Sequence, residues 1–346
     1  MSVEISVDRW IGEKIGLERG AALTRDALSA YQLARLRETV AYAKTNSAFY
    51  GRAFADIDPD ADIRDLSDLA RLPLMDAASL IAEGAGMVCV SASEVSRIVT
   101  LETGGSTGKP KRVYFTEDDQ ELMIDYIRHG LRVMAQPGDV FLVLMPCERP
   151  GSVGDLVRIG LERIGVEVIP LGILPFDGSM DDETLVLMRK KGVNSMLATA
   201  SAAVRLAEKS VGDAILTENM RTLLLSAEYV SGAARASIER AWDCKVYEHY
   251  GMTEMGLGGA MACESRIGYH PREADILFEI LDPETGAVVP KGAYGEVVFT
   301  TLTRRAMPFI RYRTGDFSRW IPGRCPCGSI LKRLDRVGNR KAMKGY

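Results

Sequence analysis

The nine residues Thr103-Gly104-Gly105-Ser106-Thr107-Gly108-Lys109-Pro110-Lys111 gather small side chains, hydroxyls and cations in one stretch. Gly104, Gly105 and Gly108 permit tight turns and positive φ, so successive backbone N–H groups can point into one concavity. Ser106 and Thr107 add hydroxyl donors, and Lys109, Lys111 and Arg112 add positive charge. Many donors, little bulk and local cations are what a polyphosphate requires. The loop departs from the Walker pattern, which sets four residues between the first glycine and Gly-Lys and continues with Ser or Thr. Here three residues separate Gly104 from Gly108-Lys109, and Pro110 comes next. That argues against a P-loop NTPase fold and leaves phosphate binding open. Taken alone, the loop reads equally well as a surface turn with solvated lysines.

A second constellation is Cys263, His270, Cys325 and Cys327, a Cys-x6-His set followed by Cys-x-Cys. Four soft or borderline ligands are what a closed structural Zn²⁺ site needs. The Cys-x-Cys spacing is tighter than the usual Cys-x2-Cys. Reduced residues that merely lie near one another are the alternative. Cys89, Cys147 and Cys244 have no partner at ligand spacing and read as core residues. His129 and His249 read as packed histidines.

The elements that must position these groups follow from the pattern of apolar residues. Residues 24–46 read as a helix, with Leu33, Leu36, Val40 and Ala43 on one stripe. Phe49 and Tyr50 then anchor the chain. Residues 97–101 and 112–115 are strands flanking the glycine-rich loop. Thr116 and Asp119 make an acidic variant of the capping box. Strands at 140–145, 166–170, 194–198 and 222–225 alternate with helices at 152–164, 181–191, 201–208 and 232–242. Continuous apolar strands separated by helices predict a parallel sheet in an α/β fold, with helices on both faces. Beyond Gly256, short strands at 276–281, 287–289, 296–301 and 309–312 predict a small antiparallel or barrel-like β subdomain.

The composition narrows the function. The net charge of -4 over 346 residues gives no basic face for nucleic acid or anionic lipid. The acidic start lacks a signal-peptide core, and the apolar run 140–145 is too short to cross a bilayer. The expectation is a cytoplasmic protein with reduced cysteines and partners that are neither nucleic acid nor membrane; the sequence does not fix the oligomeric state, and a homodimer is one open state.

Four ordered motifs make the chain resemble the adenylate-forming superfamily of AMP-binding acyl-CoA synthetases. Residues 103–111 resemble its phosphate-binding signature, Ser/Thr-Gly-Thr-Thr-Gly-x-Pro-Lys. Ser226-Ala227-Glu228 resembles its Gly-Ala-Glu stretch, Tyr250-Gly251-Met252-Thr253-Glu254 its Tyr-Gly-x-Thr-Glu, and Tyr312-Arg313-Thr314-Gly315-Asp316 its Tyr-Arg-Thr-Gly-Asp. Arg336-Val337-Gly338-Asn339 resembles the Gly-Arg-x-x-Asp hinge, with Asn339 where Asp is usual. Ala48-Phe49-Tyr50, the run Phe299 to Pro308 and Cys325-Pro326-Cys327-Gly328 resemble the phenylacetate–CoA ligase branch.

The resemblance implies ATP-dependent activation of a carboxylic acid, aryl or arylacetic, to acyl-AMP, then transfer to coenzyme A. It implies that Thr103, Gly105, Ser106, Thr107, Gly108 and Lys109 hold the outer phosphates. Thr253 would bond the α-phosphate and Glu254 would help hold Mg²⁺. Ser226, Ala227, Glu228, Tyr250 and Gly251 would lie at the nucleotide, with Asp316 on the ribose and Arg336 nearby. Met145, Tyr229 and Met252 would line the acid pocket, although ordinary core packing accounts for them as well. The polar run Pro146-Cys147-Glu148-Arg149 stands where the family often has an aromatic residue, which puts phenylacetate itself in question. Some bacterial members of the branch carry a zinc site at positions matching Cys263, His270, Cys325 and Cys327. The implied fold is the large N-terminal domain of these enzymes: a helical part over 1–90, an α/β nucleotide- and acid-binding core over 91–255, a β-rich subdomain over 256–335 and a hinge over 336–346. In relatives a further small domain of roughly a hundred residues follows the hinge. Its absence here suggests either a piece of a longer ligase or a naturally short protein. Two other readings stay open: an enzyme that only adenylates and passes acyl-AMP to an amine or a carrier-protein thiol, and a non-catalytic nucleotide-binding relative.

Overall fold

The computed structural model describes residues 6–101 and 110–339. Strands β1 (Arg97–Leu101) and β2 (Lys111–Phe115) form an antiparallel hairpin in which Leu101 faces Lys111. A helix from Glu117 to Gly130 follows. Its start is the reciprocal box read from sequence: Thr116 N–H donates to the Asp119 carboxylate at 3.0 Å, and Asp119 N–H donates to Thr116 Oγ1 at 3.1 Å.

Five parallel strands come next: β3 (Val140–Val143), β4 (Glu167–Pro170), β5 (Ser195–Ala198), β6 (Thr222–Leu225) and β7 (Lys245–Tyr250). They lie in the order β4-β3-β5-β6-β7, and β8 (Ala260–Ala262) adds antiparallel to β7. Every residue of β5 and β6 is buried, which is why both read as unbroken apolar runs rather than alternating ones. Met196, Leu223, Leu225, Trp242 and Val246 belong to one buried cluster beneath them. Gly192, at φ 63, ends the helix Asp181–Lys191 in a left-handed turn that glycine adopts without strain.

The sheet's last strand, β9 (Tyr269–Pro271), leads to an antiparallel sheet of β10 (Ile276–Leu281), β11 (Gly295–Thr301), β12 (Tyr312–Ser318) and β13 (Gly338–Asn339), in that order. Two strand expectations need correction. Residues 287–289 contribute only a single bridge, Val288 to Leu281. Strand β12, expected over 309–312, begins at Tyr312 rather than ending there, because Arg311 stands at φ 50, outside the extended range. The buried Arg311 guanidinium holds the backbone in that shape. It donates to both oxygens of Glu279 at 3.0 and 3.1 Å and to the carbonyls of Ala70 and Leu72 at 3.0 and 2.7 Å.

The long N-terminal helix spans Arg25–Asn46, capped by Thr24. Its buried face is Leu28, Gln32, Leu36, Thr39, Val40 and Ala43, and Leu33 is only half-buried. Gln32 takes the inward position because its amide donates to the Glu273 carbonyl at 2.7 Å, which satisfies a polar group inside the core.

The chain divides into two compact units. The first contains residues 1–121, 252–259 and 270–346, and the second contains 122–251 and 260–269. Among the described residues no helix is long and apolar enough to cross a membrane.

Candidate active site

In the first unit, a short 3-10 turn spans Thr253–Met255 and closes on Gly256 at φ 75. It buries the side chain of Glu254, which is 1% exposed. Lys111 Nζ donates to Glu254 Oε1 at 2.6 Å, and the Tyr312 hydroxyl donates to the same oxygen at 3.2 Å. Both partners come from sequence motifs: Lys111 is the last residue of the glycine-rich stretch and Tyr312 the first of Tyr-Arg-Thr-Gly-Asp. Burial, and then the charge of Glu254, raises the pKa of Tyr312. The phenol therefore stays protonated and acts as a donor. An ion pair this deep stands only with its remaining lone pairs satisfied, and removing one partner typically costs about 3–5 kcal/mol.

A hydroxyl–carbonyl hydrogen bond, a left-handed glycine and a bulge shape the strand that carries Asp316. Thr314 Oγ1 donates to the Val297 carbonyl at 2.7 Å, Gly315 takes φ 76, and the β11–β12 register shifts between Glu296 and Val298. Such a bulge re-aims the residue that follows it. Arg313 is tied down by the buried Glu296 at 2.6 and 2.8 Å. Asp316 itself is half-buried, and its backbone pairs with that of Asn339 in β13. Arg336 is half-buried two residues before β13.

The second unit places the remaining predicted residues at the carboxyl ends of parallel strands. The strand order reverses between β3 and β5, and ligands of open α/β sheets bind at such a crevice. Met145 lies just past β3 and is 4% exposed. Ser226-Ala227-Glu228-Tyr229 follows β6. Ser226 Oγ is 3.2 Å from His249 Nδ1. Ala227 takes φ 67, a left-handed conformation that costs a non-glycine residue about 1–2 kcal/mol. Glu228 accepts the N–H and hydroxyl of Ser201, each at 2.8 Å, at the start of the helix Ala200–Lys209. Tyr229 is 45% exposed, whereas Tyr250, ending β7, is buried. Gly251 ends the first stretch of this unit, and Met252, half-buried, opens the next stretch of the first unit.

His270, Cys325 and Cys327, all in the first unit, bring their ligand atoms within 4.8 Å of one another. His270 Nε2 is 3.4 Å from Cys327 Sγ, and its Nδ1 faces the Lys332 carbonyl at 3.0 Å. A proton on Nδ1 bound to that carbonyl leaves Nε2 free to ligate, the usual orientation of a metal-bound histidine. Cys263 belongs to the second unit.

Thr103, Gly105, Ser106, Thr107, Gly108 and Lys109 lie outside the described residues. The first unit thus brings Glu254 together with Lys111 and Tyr312, two residues to which the family resemblance assigned no individual role. Lys111 was legible as a cation of the loop, but spacing alone does not tell which lysine pairs with a distant acid. Tyr312 was legible only as a motif letter.

An AMP-binding enzyme family model matches residues 81–302. The chain is 33% identical over 324 residues to a phenylacetate–coenzyme A ligase of Pseudomonas putida, covering 91% of this chain and 71% of that protein. It is 32% identical to the same-named ligase of Escherichia coli K12 over 325 residues, again 91% and 71%. It is 31% identical to that of Thermus thermophilus over 326 residues, 92% and 71%. Among solved structures, 2-hydroxyisobutyryl-CoA ligase in complex with 2-HIB-AMP and CoA superposes with a TM-score of 0.82 at 25% identity, covering 92% of this chain and 69% of that one.

Proposed function

Because this chain belongs to the AMP-binding enzyme family, we propose that it is an AMP-forming acid–thiol ligase. An acid carboxylate attacks the α-phosphorus of ATP and pyrophosphate leaves. The thiol of coenzyme A then attacks the acyl carbon of the adenylate, forming the thioester and releasing AMP. The observation that carries this reading is the buried contact of Glu254 with Lys111 and Tyr312, where three motifs far apart in sequence supply one acid, one cation and one phenol.

The first step joins two anions, so the protein must neutralise charge and hold the leaving group. Lys111 supplies a cation beside the Glu254 carboxylate, and Thr253, on the same turn, supplies a hydroxyl for the α-phosphate. Ser106, Thr107 and Lys109 of the glycine-rich loop would grip the outer phosphates, with Thr103, Gly105 and Gly108 shaping it. Ser226, Ala227, Glu228, Tyr250 and Gly251 would flank the nucleoside, with Asp316 accepting from the ribose and Arg336 close by. Glu254 offers an anionic oxygen that already neutralises one cation, Lys111, and that donor type suits Mg²⁺. Magnesium, when bound, supplies charge neutralisation on the phosphates.

His270, Cys325 and Cys327, with Cys263 as the fourth ligand, form a donor set suited to structural zinc. The His270–Lys332 hydrogen bond supports that reading.

For the acid, Met145, Tyr229 and Met252 line the proposed pocket, and an aryl or arylacetic acid accords with the phenylacetate ligases. A small hydroxy acid is the second reading. Beyond β3 the chain presents Cys147 and Glu148, with Cys147 N–H donating to Glu148 Oε2 at 3.1 Å, and 2-hydroxyisobutyryl-CoA ligase shares the fold. Mass spectrometry of mixtures containing ATP, Mg²⁺, CoA and a panel of both acid classes tests the proposal. An acyl-CoA product from at least one acid is expected. Acyl-AMP without thioester would limit the protein to adenylation, and neither product from any acid would reject the ligase reading.

A further inference from the structure

Arg304 has no part in the reading above, yet it is a buried cation beside the Glu254 turn, with 8% of its surface exposed. One guanidinium nitrogen donates to the carbonyl of Glu254 at 2.8 Å and another to the carbonyl of Tyr114 at 3.1 Å. The guanidinium carbon lies 4.1 Å from the centre of the Phe115 ring and 5.4 Å from that of Phe309. Burial lowers the pKa of Arg304 to about 10, which leaves it charged at neutral pH. Among the described residues no carboxylate forms an ion pair with it.

A buried guanidinium without an ion pair is an unfavourable choice for packing alone, since an apolar side chain between two aromatic rings avoids the desolvation of a charge. What an apolar side chain cannot do is bind two carbonyls at once at a fixed spacing, as the rigid planar fork does. One of those carbonyls belongs to the turn that carries Glu254. The other belongs to β2, whose first residue is Lys111. The base of the fork is itself fixed, because the next two backbone N–H groups, of Arg305 and Ala306, donate to the buried Asp119 carboxylate at 2.8 and 2.9 Å.

We propose that Arg304 is a positioning residue for adenylation: its fork locks the Glu254 turn onto β2 and so sets where the Glu254 carboxylate meets Lys111. It acts through the backbone of Glu254, and the proposal rests on the ligase reading.

The test is a double-mutant cycle read by ATP–pyrophosphate exchange in the full chain, with Arg304→Met and Arg304→Lys each made in the wild-type and Glu254→Gln backgrounds. Arg304→Met lowers exchange at least 30-fold in the wild-type background and less than threefold where Glu254 is already Gln. Arg304→Lys, which keeps the charge and loses the fork, falls between wild type and Arg304→Met and supplies the cycle if the methionine variant does not fold. Equal losses in both backgrounds, or no loss in either, overturn the proposal, because a purely structural arginine lowers both alike. Wild type inactive with every acid rejects the ligase reading instead. Hydrogen–deuterium exchange of the peptide covering residues 252–257 then decides: at least tenfold faster exchange there in Arg304→Lys, with the second unit unchanged, upholds the positioning role. Unchanged exchange at 252–257, or loosening everywhere, ends it.

Discussion

Two turns of this chain each present a glutamate, and they are built in opposite ways. The turn at Thr253–Met255, in the first unit, sinks Glu254 to 1% exposure and ties it to Lys111 and Tyr312 through its side chain and to Arg304 through its backbone. The turn at Ser226–Tyr229, in the second unit, leaves Glu228 exposed, fastened to Ser201, and relies on the left-handed backbone of Ala227 for its shape. On the proposed reading the difference separates two tasks. A carboxylate that must meet developing charge gains from a dry, fully bonded site, where each interaction is strong and little reorganises. A turn that must admit a flat or variable ligand needs shape and room, and a backbone conformation supplies both.

The contrast can be broken most forcefully at Glu254. Glu254→Gln keeps the volume and the acceptor for Tyr312 but removes the charge. The expected result is a loss of pyrophosphate exchange of about 10²–10³-fold, with circular dichroism unchanged. Retained activity would mean that the buried carboxylate is structural. Metal removal follows in size. Chelation, or Cys327→Ser, is expected to lower the melting temperature by about 5 °C or more, because a metal bound only to the folded state stabilises it by mass action. Atomic absorption below one zinc per chain in the untreated protein would remove the site from the account.

Tyr312→Phe deletes one hydrogen bond to the carboxylate, worth about 1.5–3 kcal/mol for a charged acceptor. Exchange is expected to fall about tenfold. A fall as large as that of Glu254→Gln would make the phenol a participant in its own right. The smallest effect belongs to the other turn. Ala227→Gly relieves the left-handed strain and is expected to raise stability by about 1 kcal/mol, seen in urea unfolding, while exchange changes less than about threefold. A large loss of exchange would show that the strain itself is used.

Much of the fold could be read from residue types. The apolar runs at β5 and β6 and the Thr116–Asp119 box marked their elements because each rests on local physics: a doubly buried strand, a reciprocal pair of hydrogen bonds. Strand β7 went unread because Lys245, Glu248 and His249 disguise it. Glu248 is nonetheless buried, satisfied by Arg235 and by the Tyr269 hydroxyl at 2.8 Å. The turn of Arg311 and the inward face of Gln32 were equally hidden, since a tertiary partner overrides the preference of the residue type. The site divides the same way. Glu254 was legible as a motif letter. That Lys111 pairs with it and that Arg304 binds its backbone carbonyl was not, because a lysine or arginine in sequence is by default a solvated surface charge, and only the folded chain shows a carbonyl or carboxylate waiting for it.

The most direct measurement is exchange of labelled pyrophosphate into ATP by the intact chain with Mg²⁺ and a panel of aryl, arylacetic and small hydroxy acids. Acid-dependent exchange that falls about 10²–10³-fold in Glu254→Gln is the predicted result. Exchange with no acid in the panel, or exchange that Glu254→Gln leaves intact, would contradict the central claim.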